Sequence, residues 1–333
     1  MGGYQSASYQ QDVMDELSKQ AQTFFYGPGF SGYDTNDSID DVLAKTAFDP
    51  DVIILGHAWL SDIDGGAVDP HPRLNLSQAK LPKVVILNKE YANLDAKLDY
   101  IKRGRFDLGF THHHDTVRYS DTTGTEFTFW PFAYETQRFK YAKSEKKIDV
   151  GFSGVLQNLN KNADQSDVRI RIMKRFFFTC MDVPLVRKKQ FKEMNIFWNS
   201  FSSKKAGLYL NILLRKRKYL NDAEYAELIL NSKLFINTLS PMGLVSPRFF
   251  ECMASGALVF CEESELYQNI FPDDTYVTFK SNLSNFDEKL FHFLTTEGDR
   301  MKIVEKAFAF VQSKHSWAKR ITNLLTAVEK QSA

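Results

Sequence analysis

The chain has 333 residues, 43% of them hydrophobic and 25% charged, with 42 lysines and arginines against 41 acidic residues. This balance suits a globular protein with room for two ordinary domains, and a net charge of +1 gives no global reason for a nucleic-acid partner. Cys180, Cys252 and Cys261 form no CxxC pair, which argues against a disulfide framework or a zinc site.

The opening MGGYQSASYQ lacks the apolar core of a signal peptide, and no stretch approaches 18 uninterrupted apolar residues, so a cytoplasmic location is expected. An amphipathic helix is expected from about Gln10 to Gln20, and the glycines before it suit a turn into that helix. Thr23–Tyr26, ahead of Gly27-Pro28-Gly29, reads as a short strand, and Asp37–Ala47 as a helix. Asp51–Leu55 (DVIIL) is a strand with His57 just beyond its carboxyl end, where parallel sheets place their ligand-facing loops. Ser61–Leu76 reads as a surface loop.

The run KVVIL after Pro82 is a buried parallel strand by its β-branched content. Asn88 and Glu90 end it, and a helix is expected over Asn93–Lys102. Phe106–Phe110 is the next strand and leads into His112, His113, His114 and Asp115. Adjacent side chains diverge on regular backbone, so the three histidines do not form a metal triad; one of them can contact a phosphate or an acceptor, oriented by Asp115. Glu126–Phe129 is a further strand, and the polar stretch after Phe132 reads as a linker with a boundary near residue 142.

Ile148 opens a second α/β unit (IDVGFSGV). In DVRIRIMKRFFF, Asp167–Phe178, alternation favours a half-exposed strand, while Ile172–Phe178 can equally begin a helix; as a helix, the basic and apolar segment would suit a membrane surface. Asn221 and Glu224 mark the start of a helix within Leu220–Ser232, followed by a strand at Leu234–Thr238. In Ser240–Phe260, Ser246 is placed as an N-cap, Pro247 as the first helical residue and Gly256 as the stop, before the strand Leu258–Phe260. The unpaired N–H groups of such a helix start, with Gly243, Leu244, Ser246 and Arg248 around them, suit a phosphate or diphosphate, and Glu251 can accept from sugar hydroxyls. A strand at Tyr276–Phe279, a helix at Leu283–Leu294 and a helical Arg300–Lys330 complete the chain.

Arg248, Phe249, Phe250, Glu251 and the small-residue run to Gly256 resemble the donor motif of GT-B glycosyltransferases, in the glycosyl transferases group 1 branch that includes CgeB-like spore-maturation proteins. The resemblance extends to FFYGPGF, WPFA and the His315-Ser316-Trp317 phrase. It implies an α/β GT-B fold: two Rossmann-like domains, 1–142 and 143–310, facing each other across a cleft, with 311–333 as a C-terminal helix crossing back. It further implies transfer of a sugar from a UDP- or GDP-linked donor to a hydroxyl on a glycan, lipid, protein or small molecule, with neither cofactor nor metal required. Peripheral contact with the cytoplasmic membrane face through basic segments is possible in such a protein.

Gly154, Lys204 or Lys205 and Tyr276 would join the donor site in this reading, with Glu90, His57 or one of His112–His114 as the base of an inverting reaction. The sequence departs from the family at Gly243, where retaining relatives often carry a glutamate eight residues before the second one. That departure keeps open a non-catalytic sugar-nucleotide or polysaccharide binding protein; a GT-B-like sugar-nucleotide epimerase is the other alternative.

Overall fold

The computed structural model describes residues 8–56, 74–88, 90, 93–141, 143–156, 167–202, 205–214, 220–240 and 243–332. Chain contacts divide it into two compact units, Met1–Ala133 with Trp317–Ala333, and Tyr134–Ser316.

The first unit is built on a four-stranded parallel sheet in the order β1 (Ile53–Leu55), β2 (Lys83–Leu87), β3 (Leu108–Thr111), β4 (Glu126–Phe129). Every residue of β2 is buried, as a central strand covered on both faces requires. The helices α3 (Leu94–Gly104) and α4 (Thr116–Thr123) connect β2 to β3 and β3 to β4. The core gathers Val85, Leu87, Leu98, Ile101, Tyr119 and Phe127, each worth about 1.5–3 kcal/mol or less once out of water. Ahead of β1 lie α1 (Ser8–Gln20) and α2 (Ile39–Ala44); α2 is held by a capping box between Ser38 and Asp41. The strand expected at Thr23–Tyr26 does not form. Its rings pack instead, Phe24 on Tyr26 and Phe25 on Phe30, with no ladder partner among the described residues.

The second unit has a five-stranded parallel sheet in the order β11-β10-β9-β5-β8: β5 (Ile148–Leu156), β8 (Ile196–Ser202), β9 (Ser232–Asn237), β10 (Leu258–Glu262) and β11 (Val277–Phe279). The antiparallel hairpin of β6 (Phe177–Cys180) and β7 (Val183–Arg187) stands apart from it. Asp167–Phe178 corrects the favoured strand reading: α5 runs Val168–Phe176, and the strand begins only at Phe177. The Asp167 carboxylate caps the Arg169 N–H at 2.9 Å, and the helix buries Val168, Ile172 and Phe176 in the main core with Ile170 and Met173 beside them. The apolar side of α5 is therefore spent on the core and faces no membrane. Among the described residues no helix is long and apolar enough to cross one.

Next come α6 (Lys205–Leu213), then α7 (Asp222–Leu230), started by a capping box of Asn221 and Glu224, and α8 (Pro247–Ala254). Gly256 ends α8 with φ +64°, and a Cβ there would also meet the Tyr141 ring at 2.2 Å. The helix expected at Arg300–Lys330 is two, α10 (Glu297–Lys314) and α11 (Trp317–Ser332), after α9 (Phe286–Thr295). The break has a tertiary cause: the Tyr134 N–H donates to the His315 carbonyl at 3.2 Å, and Tyr134 forms a parallel bridge with Ser316. His315 itself packs against Phe250, Phe271 and Phe310.

Candidate functional site

In the second unit β5 lies between β8 and β9, so the chain's progression reverses there. Ligands of open α/β sheets bind beyond the carboxyl ends of the strands at such a point. Two arginines stand there. Arg169, in the first turn of α5, donates from Nε to Thr238 Oγ1 at 2.6 Å and from Nη1 to the Val155 carbonyl at 2.7 Å, spanning the ends of β9 and β5. Burial lowers its pKa, and the neighbouring Arg248 charge adds to that. Two desolvated guanidiniums this close create a strong local preference for an anion.

Arg248 occupies the first turn of α8, with its guanidinium nitrogens 3.6 Å from where a Cβ on Gly154 would sit. That is ordinary contact; the tighter neighbour of a Cβ at 154 would be the Phe152 ring, at 3.3 Å. Arg248 donates from Nε to the Tyr225 hydroxyl at 3.3 Å, and that hydroxyl donates to Glu251 Oε2 at 2.9 Å. Burial pulls the Arg248 pKa down, but Tyr225, Cys252 and Glu251 outweigh it, so the guanidinium stays charged. Glu251 is thus tied to the arginine through a tyrosine. Gly243, with φ +68°, donates its N–H to the Ser240 carbonyl at 3.0 Å in the turn that delivers Leu244 and Ser246 to the helix start. Ser246 is extended and, among the described residues, its hydroxyl makes no capping bond, while Pro247 opens the helix.

Tyr276 is 8% exposed and packed on Tyr267, and its hydroxyl donates to Asp273 at 3.0 Å. Lys204 and the side chain of Lys205 lie outside the described residues, as does His57. Arg169 and Tyr225 were not singled out by sequence reasoning. A helix start signalled by Asp167 would have placed Arg169 at the carboxyl edge, but alternation in VRIRI pointed to a strand.

In the first unit the carboxyl ends of β2 and β3 carry a different set. Glu90 is 5% exposed and accepts from Thr111 Oγ1 at 2.6 Å, while its Oε2 has no hydrogen-bond partner among the described residues. Burial raises its pKa against the opposing pull of Thr111, its own backbone N–H, His113 and Lys97. Lys97 is buried as well and donates to the Asn88 carbonyl at 3.1 Å.

The three histidines diverge. His112 stacks on Phe132 at 3.8 Å between ring centres, with Nδ1 2.7 Å from the Trp130 carbonyl oxygen, and burial lowers its pKa to about 4. A neutral ring held among aromatics is a core element. His113 accepts the Asp115 N–H at Nδ1, 3.3 Å away, and lies 3.5 Å from the Asp115 carboxylate. His114 stacks on Phe129 at 4.1 Å, and burial lowers its pKa. No group of three metal-ligating side chains is found among the described residues. Glu90 thus feels the charges of both His113 and Lys97 at this edge.

Two Rossmann-like units of parallel strands and crossover helices make this a GT-B fold. Residues 188–326 match a family model described as glycosyl transferase-like, which covers less than half of the chain. No curated protein matches the chain in sequence. Among solved structures it is similar to the GtfA/B complex, at 11% identity and a TM-score of 0.52 over 84% of this chain and 57% of that one. Sucrose-phosphate synthase from Thermosynechococcus elongatus is similar at 10% identity and 0.57, over 87% of this chain and 75% of that one. Anabaena HepE in complex with UDP is similar at 11% identity and 0.51, over 75% and 73%. The chain therefore spans little more than half the length of the GtfA/B relative.

Proposed function

We propose that the protein is a nucleotide-sugar-dependent glycosyltransferase that moves a sugar from a UDP- or GDP-linked donor to a hydroxyl on a glycan, lipid, protein or small molecule. The observation that carries this reading is the pairing of Arg169 and Arg248 at the β5/β9 switch point, beside the start of α8. In the reaction the acceptor oxygen forms a bond to the anomeric carbon and the bond from that carbon to the diphosphate oxygen breaks. The departing diphosphate gains a negative charge there, and fixed cations with a helix N-terminus stabilise it without reorganising. Protein donors thus do work that a divalent ion does elsewhere. Arg248 and Glu251 hold the diphosphate and the ribose in this reading, with Tyr225 fixing both.

In an inverting course the acceptor proton passes to a base. Glu90 is the candidate, because a buried carboxylate with an elevated pKa is a better proton acceptor than an ordinary one. A donor of this class places the work in the cytoplasm. Residue 243 favours a second reading: a glycine stands where a donor-sugar carboxylate would, as in a binding protein without turnover.

Calorimetric titration with UDP and GDP, followed by acceptor-dependent release of nucleotide from the matching sugar donor, separates these. Selective binding that weakens in Arg248→Ala, with donor consumption, supports the transferase. Binding without consumption across a broad acceptor panel supports the second reading, and no binding by the folded protein removes both.

A further inference from the structure

The β6–β7 hairpin leaves apolar side chains in water. Phe178 of β6 and Val186 of β7 are cross-strand partners and are 62% and 64% exposed. The register shifts beside them, from Phe178↔Val186 to Thr179↔Pro184, so Leu185 is the extra residue of a β-bulge. Leu185 is exposed as well, and Met181 at the turn is 55% exposed. Directly opposed side chains share one face of a hairpin, so these residues make one apolar patch and not scattered points. The described stretch 167–202 runs through the hairpin without a break.

The turn holds that patch in a fixed place. Cys180 pairs with Val183, and the two residues between them, Met181 and Asp182, have φ of +49° and +61°. A two-residue turn with both φ positive matches the twist of a hairpin and ordinarily takes asparagine, aspartate or glycine. Methionine is strained there, since its Cβ crowds the backbone, and its side chain is turned out into water. Asp182 is buried, 3.8 Å from Lys174 in the last turn of α5. At the other end of the ladder Arg187 donates to the carbonyls of Met194 and Ile196, at the start of β8. The hairpin is thus anchored at its tip and at its base.

The charge beside the patch is positive. Arg175 is paired with Asp287, and Arg187 is held by carbonyls. Lys188, Lys189 and Lys192 have no ion-pair partner among the described residues, and Lys188 Nζ stands over the Phe178 ring, 5.5 Å from its centre. The acidic residues of 177–194 are Asp182, already facing Lys174, and Glu193. Protein interfaces are poor in lysine. An exposed apolar patch fringed by lysines has instead the composition of a surface that enters the headgroup layer of an anionic membrane.

We propose that the β6–β7 hairpin docks the second unit on the surface of a membrane carrying anionic lipid. Phe178, Met181, Leu185 and Val186 enter the boundary between headgroups and acyl chains, and Lys188, Lys189 and Lys192 meet the headgroup phosphates. The hairpin is tied to the first residue of β8, at the amino-terminal end of the second sheet, whereas Arg169 and Arg248 stand at its carboxyl edge. Docking there does not cover that edge. It also asks nothing of the donor site, so it stands whether or not the chain transfers sugar.

Flotation of the full chain with lipid vesicles tests this, using phosphatidylcholine alone and phosphatidylcholine with about one-third phosphatidylglycerol. The chain is expected to float with the anionic vesicles and to bind the neutral ones about tenfold less or weaker still. Phe178→Ser with Val186→Ser should lower binding to the anionic vesicles by about tenfold or more, and Lys188→Glu with Lys189→Glu by a similar factor. Thermal melts matching wild type show that each variant keeps its fold; the lysine variant alters no apolar side chain and tests the surface by itself. Anionic-vesicle binding unchanged in both variants overturns the proposal, as does equal binding to the two kinds of vesicle. A wild-type chain that binds neither vesicle also overturns it, and a dimer that sedimentation then shows to be lost in the serine variant would assign the patch to a second copy of the chain.

Discussion

The carboxyl edges of the two sheets solve the burial of charge in opposite ways. In the second unit each guanidinium stays charged, as arginine does in proteins, and acceptors hold it in place, Thr238 and the Val155 carbonyl for Arg169 and the Tyr225 hydroxyl for Arg248. In the first unit Glu90 is buried with no hydrogen-bond partner for Oε2 among the described residues; burial disfavours its charged form and its pKa rises. The arginines leave a fixed positive site, suited to a negatively charged group. The buried carboxylate leaves a group that can take up or release a proton, and the difference follows from residue type and burial together.

Glu90→Gln gives the sharpest separation of the two edges. If Glu90 is the base, kcat falls by about 10²- to 10⁴-fold while nucleotide affinity, measured by calorimetry, stays as it was. The same change stabilises the fold. Because the folded pKa is raised, the folded state holds more protons than the unfolded one above the ordinary carboxylate range, so wild-type stability declines as pH rises through the folded value. Thermal melts of Glu90→Gln should exceed wild type at pH 8 and converge with it near pH 4. A loss of nucleotide affinity in this variant would erase the assignment of separate roles.

Arg248→Ala has the next largest effect. It removes a buried charge that holds Tyr225, and nucleotide diphosphate affinity should drop roughly 30-fold or more. Arg169→Ala should weaken it less, by about tenfold, because Arg248 and the α8 terminus remain. Equal binding by wild type and both variants would show that the cationic edge is structural only.

His112 gives a smaller effect that reads stability alone. Its pKa is lowered from 6.5 to about 4 by burial, so the neutral ring contributes stability that is complete above the unfolded value and lost as pH falls from 6.5 toward 4. The loss amounts to up to about 3 kcal/mol. His112→Phe should flatten the acid limb of a Tm-against-pH curve without changing nucleotide binding; an unchanged acid limb would show that other groups govern it.

Local signals in the sequence were sufficient where the structure is local. Ser246, Pro247 and Gly256 bracket α8 within two residues of its ends, and Asn221 with Glu224 marks the start of α7. The apolar runs KVVIL and LVF are strands because burial on both faces leaves little else for them. Tertiary context decided the failures. VRIRI alternates as a strand does, yet its isoleucines also fall on the buried faces of a capped helix, and that kept Arg169 out of the expected site. Thr23–Tyr26 has strand composition but, among the described residues, no strand beside it. The break at His315 is set by Tyr134, far away in sequence, and the link from Arg248 through Tyr225 to Glu251 joins helices that no local pattern connects.

The last helix has a consequence for biosynthesis. Trp317, Ile321 and Leu324 of α11 are buried in the first unit, where Gln20 Nε2 also donates to the Ala318 carbonyl at 2.9 Å. A ribosome delivers the first 133 residues long before it delivers that helix, since residues 134–316 have to be made in between. At about 5–20 residues per second this interval is on the order of ten to forty seconds. During that time α1 lacks its packing partner, so the unit begun first is the one completed last, and nascent first-unit chains are the species that chaperones would meet.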